Sequence, residues 1–207
     1  MNFVITLTGP SASGKSTVVE CIQAIGPKFG INPQVIKKYT TRAARPYDTR
    51  DVVSVDDIPK KCDLVYEQYG VRYGIESSDL FACLANGGAP LVIVNDVRTV
   101  ADIRTMLGPL TRTLFLFRSF PKLRDMRELA TARGVVHPHR DAQERFAKAA
   151  AIYRIYIENI HLFDHVLINA GTIPELEHEV EVVIRGFGRA DRLWPLRPYE
   201  SSVRTVQ

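Results

Sequence analysis

A parallel α/β fold, with a central sheet covered by helices on both faces, is predicted by three features of the chain. Phe3-Val4-Ile5-Thr6-Leu7 and Leu91-Val92-Ile93-Val94-Asn95 are almost continuously apolar, as strands buried on both faces must be. Helical and strand-like segments alternate after them, the pattern of a sheet with helices on either side. The first run also delivers the chain directly into Gly9-Pro10-Ser11-Ala12-Ser13-Gly14-Lys15-Ser16-Thr17. This matches G-x-x-x-x-G-K-[ST] between a strand and a helix, the context the pattern requires.

The loop carries its own chemistry. Gly9 and Gly14 permit backbone conformations in which successive N–H groups turn onto a phosphate chain. Ser11, Ala12, Ser13 and Thr17 complete that cradle, Lys15 supplies a point charge to the β- and γ-phosphates, and Ser16 offers a hydroxyl to Mg²⁺. The helix beginning near Lys15 directs its positive end at the same anion and is predicted to stop at Gly26-Pro27. Gln34 to Lys37 then reads as a short strand.

Arg42 and Arg45 stand three apart in Lys38-Tyr39-Thr40-Thr41-Arg42-Ala43-Ala44-Arg45-Pro46. Paired guanidinium forks suit a terminal phosphate. A solvated basic turn is the alternative, and the upstream phosphate loop favours the first reading. Ser78 to Ala85 reads as a helix stopped by Gly87-Gly88, and Pro174 to Arg185 as a last helix with Leu176, Val180, Val183 and Ile184 on one side. Residues beyond Gly188 are polar, basic and contain Trp194, and are read as a tail over 189–207.

Composition narrows the class. The 207 residues are 45% hydrophobic and 24% charged, a globular protein of one domain. No apolar run approaches the ~20 residues of a membrane span, and no basic stretch precedes the first strand as in a signal peptide. Cys21, Cys62 and Cys83 lack metal-ligand spacing and read as reduced core thiols of a cytoplasmic protein. The net charge of +4 admits a nucleic-acid partner, but the arginines are dispersed, and several anionic small-molecule groups account for it equally. His137 and His139 flank a proline with no third ligand and are not read as a metal site. Tyr153, Tyr156 and Phe163 read as core.

The phosphate loop followed by Thr40-Thr41-Arg42-x-x-Arg45-Pro46 resembles the guanylate kinase family, whose members transfer the γ-phosphate of ATP to GMP. The likeness continues through Gly70-Val71-Arg72-Tyr73-Gly74, through Leu91 to Asp96 and Leu114 to Phe117 as successive strands, through Ala132-Arg133-Gly134 with Gln143-Glu144-Arg145-Phe146, and through His165 to Asn169. It covers residues 3 to about 187. The resemblance implies one domain over 1–188, with a core of 1–37 and 88–188, an acceptor-binding subdomain over about 38–87, and a helical lid over about 120–145. It implies ATP with Mg²⁺ as donor and GMP or dGMP as acceptor, in a monomer or a homodimer. Arg42, Arg45 and Tyr73 would hold the acceptor phosphate, Arg133 and Arg145 the transferring group beside Lys15, and Asn169 would lie near the adenine. Asp96 ends a central strand, at the edge where open α/β sheets bind ligands. Its readings are an acceptor contact, a partner for a water on Mg²⁺, or a cap for the next helix.

The base-reading positions depart from the family. Lys38 and Leu64 stand near the usual hydroxyl residue and glutamate, Ile75 replaces the hydroxyl residue after Tyr-Gly, and Glu67 is the nearest carboxylate. Either Glu67 or Asp96 reads the base after a local shift, or the acceptor is a different phosphate ester. Ribose 1,5-bisphosphate kinases, which resemble guanylate kinases, and kinases of nucleic-acid ends or modified nucleotides are the enzymatic alternatives. A guanylate-kinase-like peptide-binding module is the non-enzymatic one, although such modules typically have lost the loop residues that this chain retains.

Overall fold

The computed structural model describes residues 3–10, 13–44, 51–118, 123–132, 134–169 and 172–193. The amino-terminal half runs β1 (Val4–Thr8), α1 (Lys15–Ile25), β2 (Pro33–Val35), β3 (Lys38–Thr40), β4 (Val52–Ser54), β5 (Leu64–Gln68) and β6 (Val71–Ile75). It continues through α2 (Ser77–Ala85), β7 (Ala89–Ile93), α3 (Val97–Leu107) and β8 (Thr111–Arg118). The chain closes with α4 (Leu123–Ala132), α5 (Pro138–Glu158), β9 (His165–Asn169) and α6 (Ile173–Leu193).

Five parallel strands form the main sheet in the order β2-β7-β1-β8-β9. The alternation of β1 divides the core: Phe3, Ile5 and Leu7 pack with Val18, Ile22, Val180 and Ile184 of α1 and α6. Val4 faces the other way, toward Val92, Leu80 and Ile103. Every residue of β1 and of β7 is buried, so their near-continuous apolarity is the signature of a sheet covered on both sides. Truncating such a side chain, Ile22→Ala for instance, costs about 2–5 kcal/mol.

A second sheet, ordered β4-β3-β6-β5, occupies the segment between β2 and α2. Its strand β3 pairs parallel with β4 and antiparallel with β6. The small sheet is not free-standing, because Leu64, Tyr66 and Ile75 bury themselves in the same cluster as Val92 and Val94. The β5–β6 turn is tight, with Tyr69 at φ 56° and Gly70 at φ 73°, the left-handed pair that matches strand twist in a two-residue hairpin. At its tip the Tyr69 hydroxyl donates to the Lys148 carbonyl at 3.4 Å, and the Lys148 ammonium lies 5.1 Å from the Tyr69 ring centre.

At the end of the main sheet remote from the loop, Arg104 of α3 donates to Thr113 Oγ1, the Leu162 carbonyl and Asp164 Oδ1, each at 2.9 Å. Asp164 Oδ2 accepts from the Thr113 N–H at 2.8 Å. This staple ties a surface helix to the start of β8 and β9. Cys21, Cys62 and Cys83 are buried free thiols, and Tyr153 and Tyr156 are core, as the helical spacing predicts.

Three boundaries differ from the sequence reading. The second strand spans Pro33–Val35 rather than 34–37. The helix after β6 begins at Ser77, with Glu76 at its N-cap. The last helix runs on to Leu193, so the segment read as tail begins in helix. Phe187, buried against Phe3 at 5.5 Å between ring centres, extends the apolar side of α6 past Arg185, where the sequence reading ended the helix. Trp194 lies outside the described residues.

Candidate active site

The carboxyl ends of β1, β7 and β9 bring the loop, Asp96 and Asn169 to one edge of the sheet, the edge at which open α/β sheets bind ligands. Gly14 caps α1 in the left-handed region, at φ 101°. A Cβ there would be strained and would also meet Asn169 Nδ2 at 2.6 Å. Lys15 folds over the loop and donates to the Gly9 and Pro10 carbonyls at 2.8 and 2.7 Å. Burial, then the positive charge of Lys38, pulls its pKa from 10.5 down to about 7, with Asp51 opposing. An ammonium held in this way carries a standing demand for an anion. Ser16 is exposed and Thr17 half-buried on the first turn of α1, while Ser13 is buried, its hydroxyl without a partner among the described residues.

Asn169 Nδ2 donates to the Ser13 carbonyl at 2.7 Å, so it braces the phosphate loop. Asp96 Oδ2 accepts from the Thr99 N–H at 2.8 Å and from the Thr99 hydroxyl at 2.9 Å. Of the three readings of Asp96, capping of the next helix is the one observed.

In the smaller sheet, Tyr66 and Tyr73 stack with ring centres 5.0 Å apart, because they are direct cross-strand partners of β5 and β6. Burial raises the Tyr66 phenol, with the charges of Asp96 and Asp51 adding to the effect. Tyr73 is followed by Gly74 because a Cβ at 74 would run into Ile58 Cγ2 at 2.4 Å and Cys62 Cβ at 2.9 Å. Lys38 Nζ donates to the Ile93 carbonyl at 3.1 Å and pairs with Asp51 Oδ2 at 3.5 Å. Both side chains are below a tenth exposed.

Glu67 does not join this group. It alternates with Tyr66 along β5, is exposed, and stands opposite Arg72, which is itself paired with Asp57. Arg42 is half-buried beyond β3 and donates to the Ala43 carbonyl at 3.0 Å. Arg145 falls in α5, its side chain outside the described residues. Ser11, Ala12, Arg45 and Arg133 also lie outside them. Asp51 was missed by the sequence reading, since nothing in the spacing of Lys38 and Asp51 announces a pairing across two short parallel strands. Among the described residues no group of three His, Cys, Asp or Glu side chains is placed to hold a metal, and no helix is long and apolar enough to cross a membrane.

Fold and loop together define an α/β phosphate-loop kinase-like architecture. No family model matches the chain. The chain is 28% identical over 177 residues to a guanylate kinase of Mycolicibacterium paratuberculosis, covering 81% of this chain and 74% of that protein. It is 29% identical over 192 residues to a guanylate kinase of Nocardia farcinica, covering 87% and 93%. A crystal structure of guanylate kinase from Anaplasma phagocytophilum shares the fold, with a TM-score of 0.61 at 18% identity over 90% of this chain and 86% of that one. These relatives support a guanylate-kinase-like family for the chain.

Proposed function

We propose that the protein is an ATP-dependent phosphotransferase that moves the γ-phosphate of ATP onto the phosphate of a small phosphorylated acceptor, with GMP or dGMP the first candidate. The observation that carries this reading is the Lys15 ammonium, enclosed by the Gly9 and Pro10 carbonyls at the mouth of α1. Phosphate oxygens would replace those carbonyls, and the α1 N-terminus would add its dipole. Such transfer is mainly positioning and neutralisation of charge. Arg42, Arg45 and Tyr73 are assigned to the acceptor phosphate, and Arg133 and Arg145 to the transferring group. An acceptor phosphate is already ionised near neutral pH, so no side chain has to remove a proton.

Mg²⁺ suits this donor set. Ser16 is an exposed hard oxygen donor beside the loop, and Mg²⁺ keeps several waters and binds through few protein groups plus substrate phosphates. When bound with ATP, it would offset charge on the β- and γ-phosphates.

A second reading, a phosphate ester without guanine, is favoured by the outward placement of Glu67. Coupled ADP release over GMP, dGMP, AMP, a sugar bisphosphate and oligonucleotide ends tests both. Turnover of GMP alone supports the first reading, and turnover of another ester with GMP inert supports the second. ADP release with none of them, together with no affinity for Mg-ATP, would remove the kinase reading.

A further inference from the structure

We propose that Lys38 is a second catalytic lysine, whose ammonium joins that of Lys15 on the phosphoryl group in transfer, with Asp51 as its counter-ion at rest. This rests on the kinase reading above.

A lysine as buried as Lys38, 7% exposed, is rare unless paired. Its pair with Asp51 is a poor device for stability alone. The cost of desolvating two charges commonly equals or exceeds their attraction, and an apolar pair would serve the fold as well. Position argues for another role. Lys38 Nζ sits on the carbonyl of Ile93, the last residue of β7. Ile93 is in register with Leu7 of β1, and the carbonyls that hold Lys15 follow shortly after Leu7. Two ammonium groups therefore stand at the carboxyl ends of neighbouring strands. After burial, the positive charge of Lys38 is the next cause that lowers the Lys15 pKa.

Like charges gathered in a poorly solvated setting repel, and an anion between them relieves both. Asp51 offsets part of that repulsion in the resting protein. In transfer, the bond from the γ-phosphorus to the β–γ bridging oxygen breaks, and that oxygen leaves with the electron pair on ADP. A new bond forms between the phosphorus and an anionic oxygen of the acceptor phosphate. No proton moves in this step. The contribution of Lys38 is greatest while charge is spread over the equatorial oxygens, which would lower the barrier more than it tightens either substrate.

The experiment uses the full chain with whichever acceptor the wild type turns over. That wild-type turnover decides the kinase reading separately. The K38M/D51N double variant removes both charges of the Lys38–Asp51 pair, and K38Q keeps a donor for both Asp51 and Ile93. The expected result for each is a kcat lowered about 100-fold or more, with calorimetric affinity for Mg-ATP within about threefold of wild type. K38R should recover at least about a tenth of the wild-type kcat. A folded K38M/D51N or K38Q protein with kcat within about threefold of wild type would overturn the proposal. So would a loss confined to the acceptor KM, which would make Lys38 a positioning residue. Should the double variant fail to fold, K38Q alone decides on the same criteria.

Discussion

Asn169, the last residue of β9, donates its amide hydrogen to the carbonyl of Ser13 at 2.7 Å, joining the end of one strand to the loop that follows another. The contact fixes the loop from outside and sits directly over Gly14. Asn169→Ala is expected to weaken Mg-ATP binding about tenfold, roughly the loss of one hydrogen bond with a buried acceptor left unmet. Calorimetry checks this, and an affinity within twofold of wild type would assign the amide no part in bracing the loop.

Gly14 faces two separate obstacles to substitution. The Asn169 amide would crowd a new Cβ at 2.6 Å, and φ 101° is strained for any other residue. Gly14→Ala should therefore weaken nucleotide binding about tenfold or more, and adding Asn169→Ala should not restore it, because the backbone strain of about 1–3 kcal/mol remains. Rescue in the double variant would show that the clash alone mattered.

Lys15 links stability to pH. Its pKa lies near 7 in the folded protein against 10.5 ordinarily, so between those values the unfolded chain binds a proton that the folded chain lacks. Its contribution to stability then rises as pH climbs from about 7 to 10.5, and is lost as pH falls back toward 7. Urea unfolding of wild type and Lys15→Met at pH 7 and pH 9 measures this. The expected outcome is a wild type that gains on the variant at the higher pH, and a constant difference would contradict it.

The staple of Arg104, Thr113 and Asp164 lies away from the loop, so its removal should separate folding from activity. Asp164→Ala leaves Arg104 and the Thr113 N–H without their shared carboxylate, at a cost of about 1–3 kcal/mol. Thermal unfolding should show the drop, while kcat per folded molecule stays within about twofold of wild type.

Thr6 lies in mid-strand on β1, its hydroxyl buried without a partner among the described residues. Thr6→Val keeps the shape and removes the unmet group, and should stabilise the protein by about 1 kcal/mol. A lower melting temperature would indicate that the hydroxyl is satisfied in solution.

The phosphate loop and the strands that carry it were legible because their determinants are local: a continuous apolar run, two obligatory glycines and a lysine at fixed spacing. Tyr73-Gly74 was picked out only by its resemblance to a family segment, and the reason for the glycine, the press of Ile58 and Cys62, is a tertiary fact. Asp51 was not legible, since its partner is fixed by the pairing of two three-residue strands rather than by any pattern along the chain. Glu67 was singled out as the nearest carboxylate, but alternation along β5 turns it from Tyr66, and proximity in sequence carries no information about which side of a strand a residue takes. The end of α6 lies beyond the Arg185 read from the sequence, because Phe187 binds the helix to Phe3 across the core.

The turn at Tyr69 and Gly70 sets a ruler on the molecule. The phenol at its apex meets α5 at Lys148 only because the two strands behind it have their present length. One residue added to or taken from that hairpin would spoil its mirror-image bend and swing the ring off the helix together. Changes of length in this part of the chain are therefore barred, although the tip is open to solvent and changes of residue type there need not be.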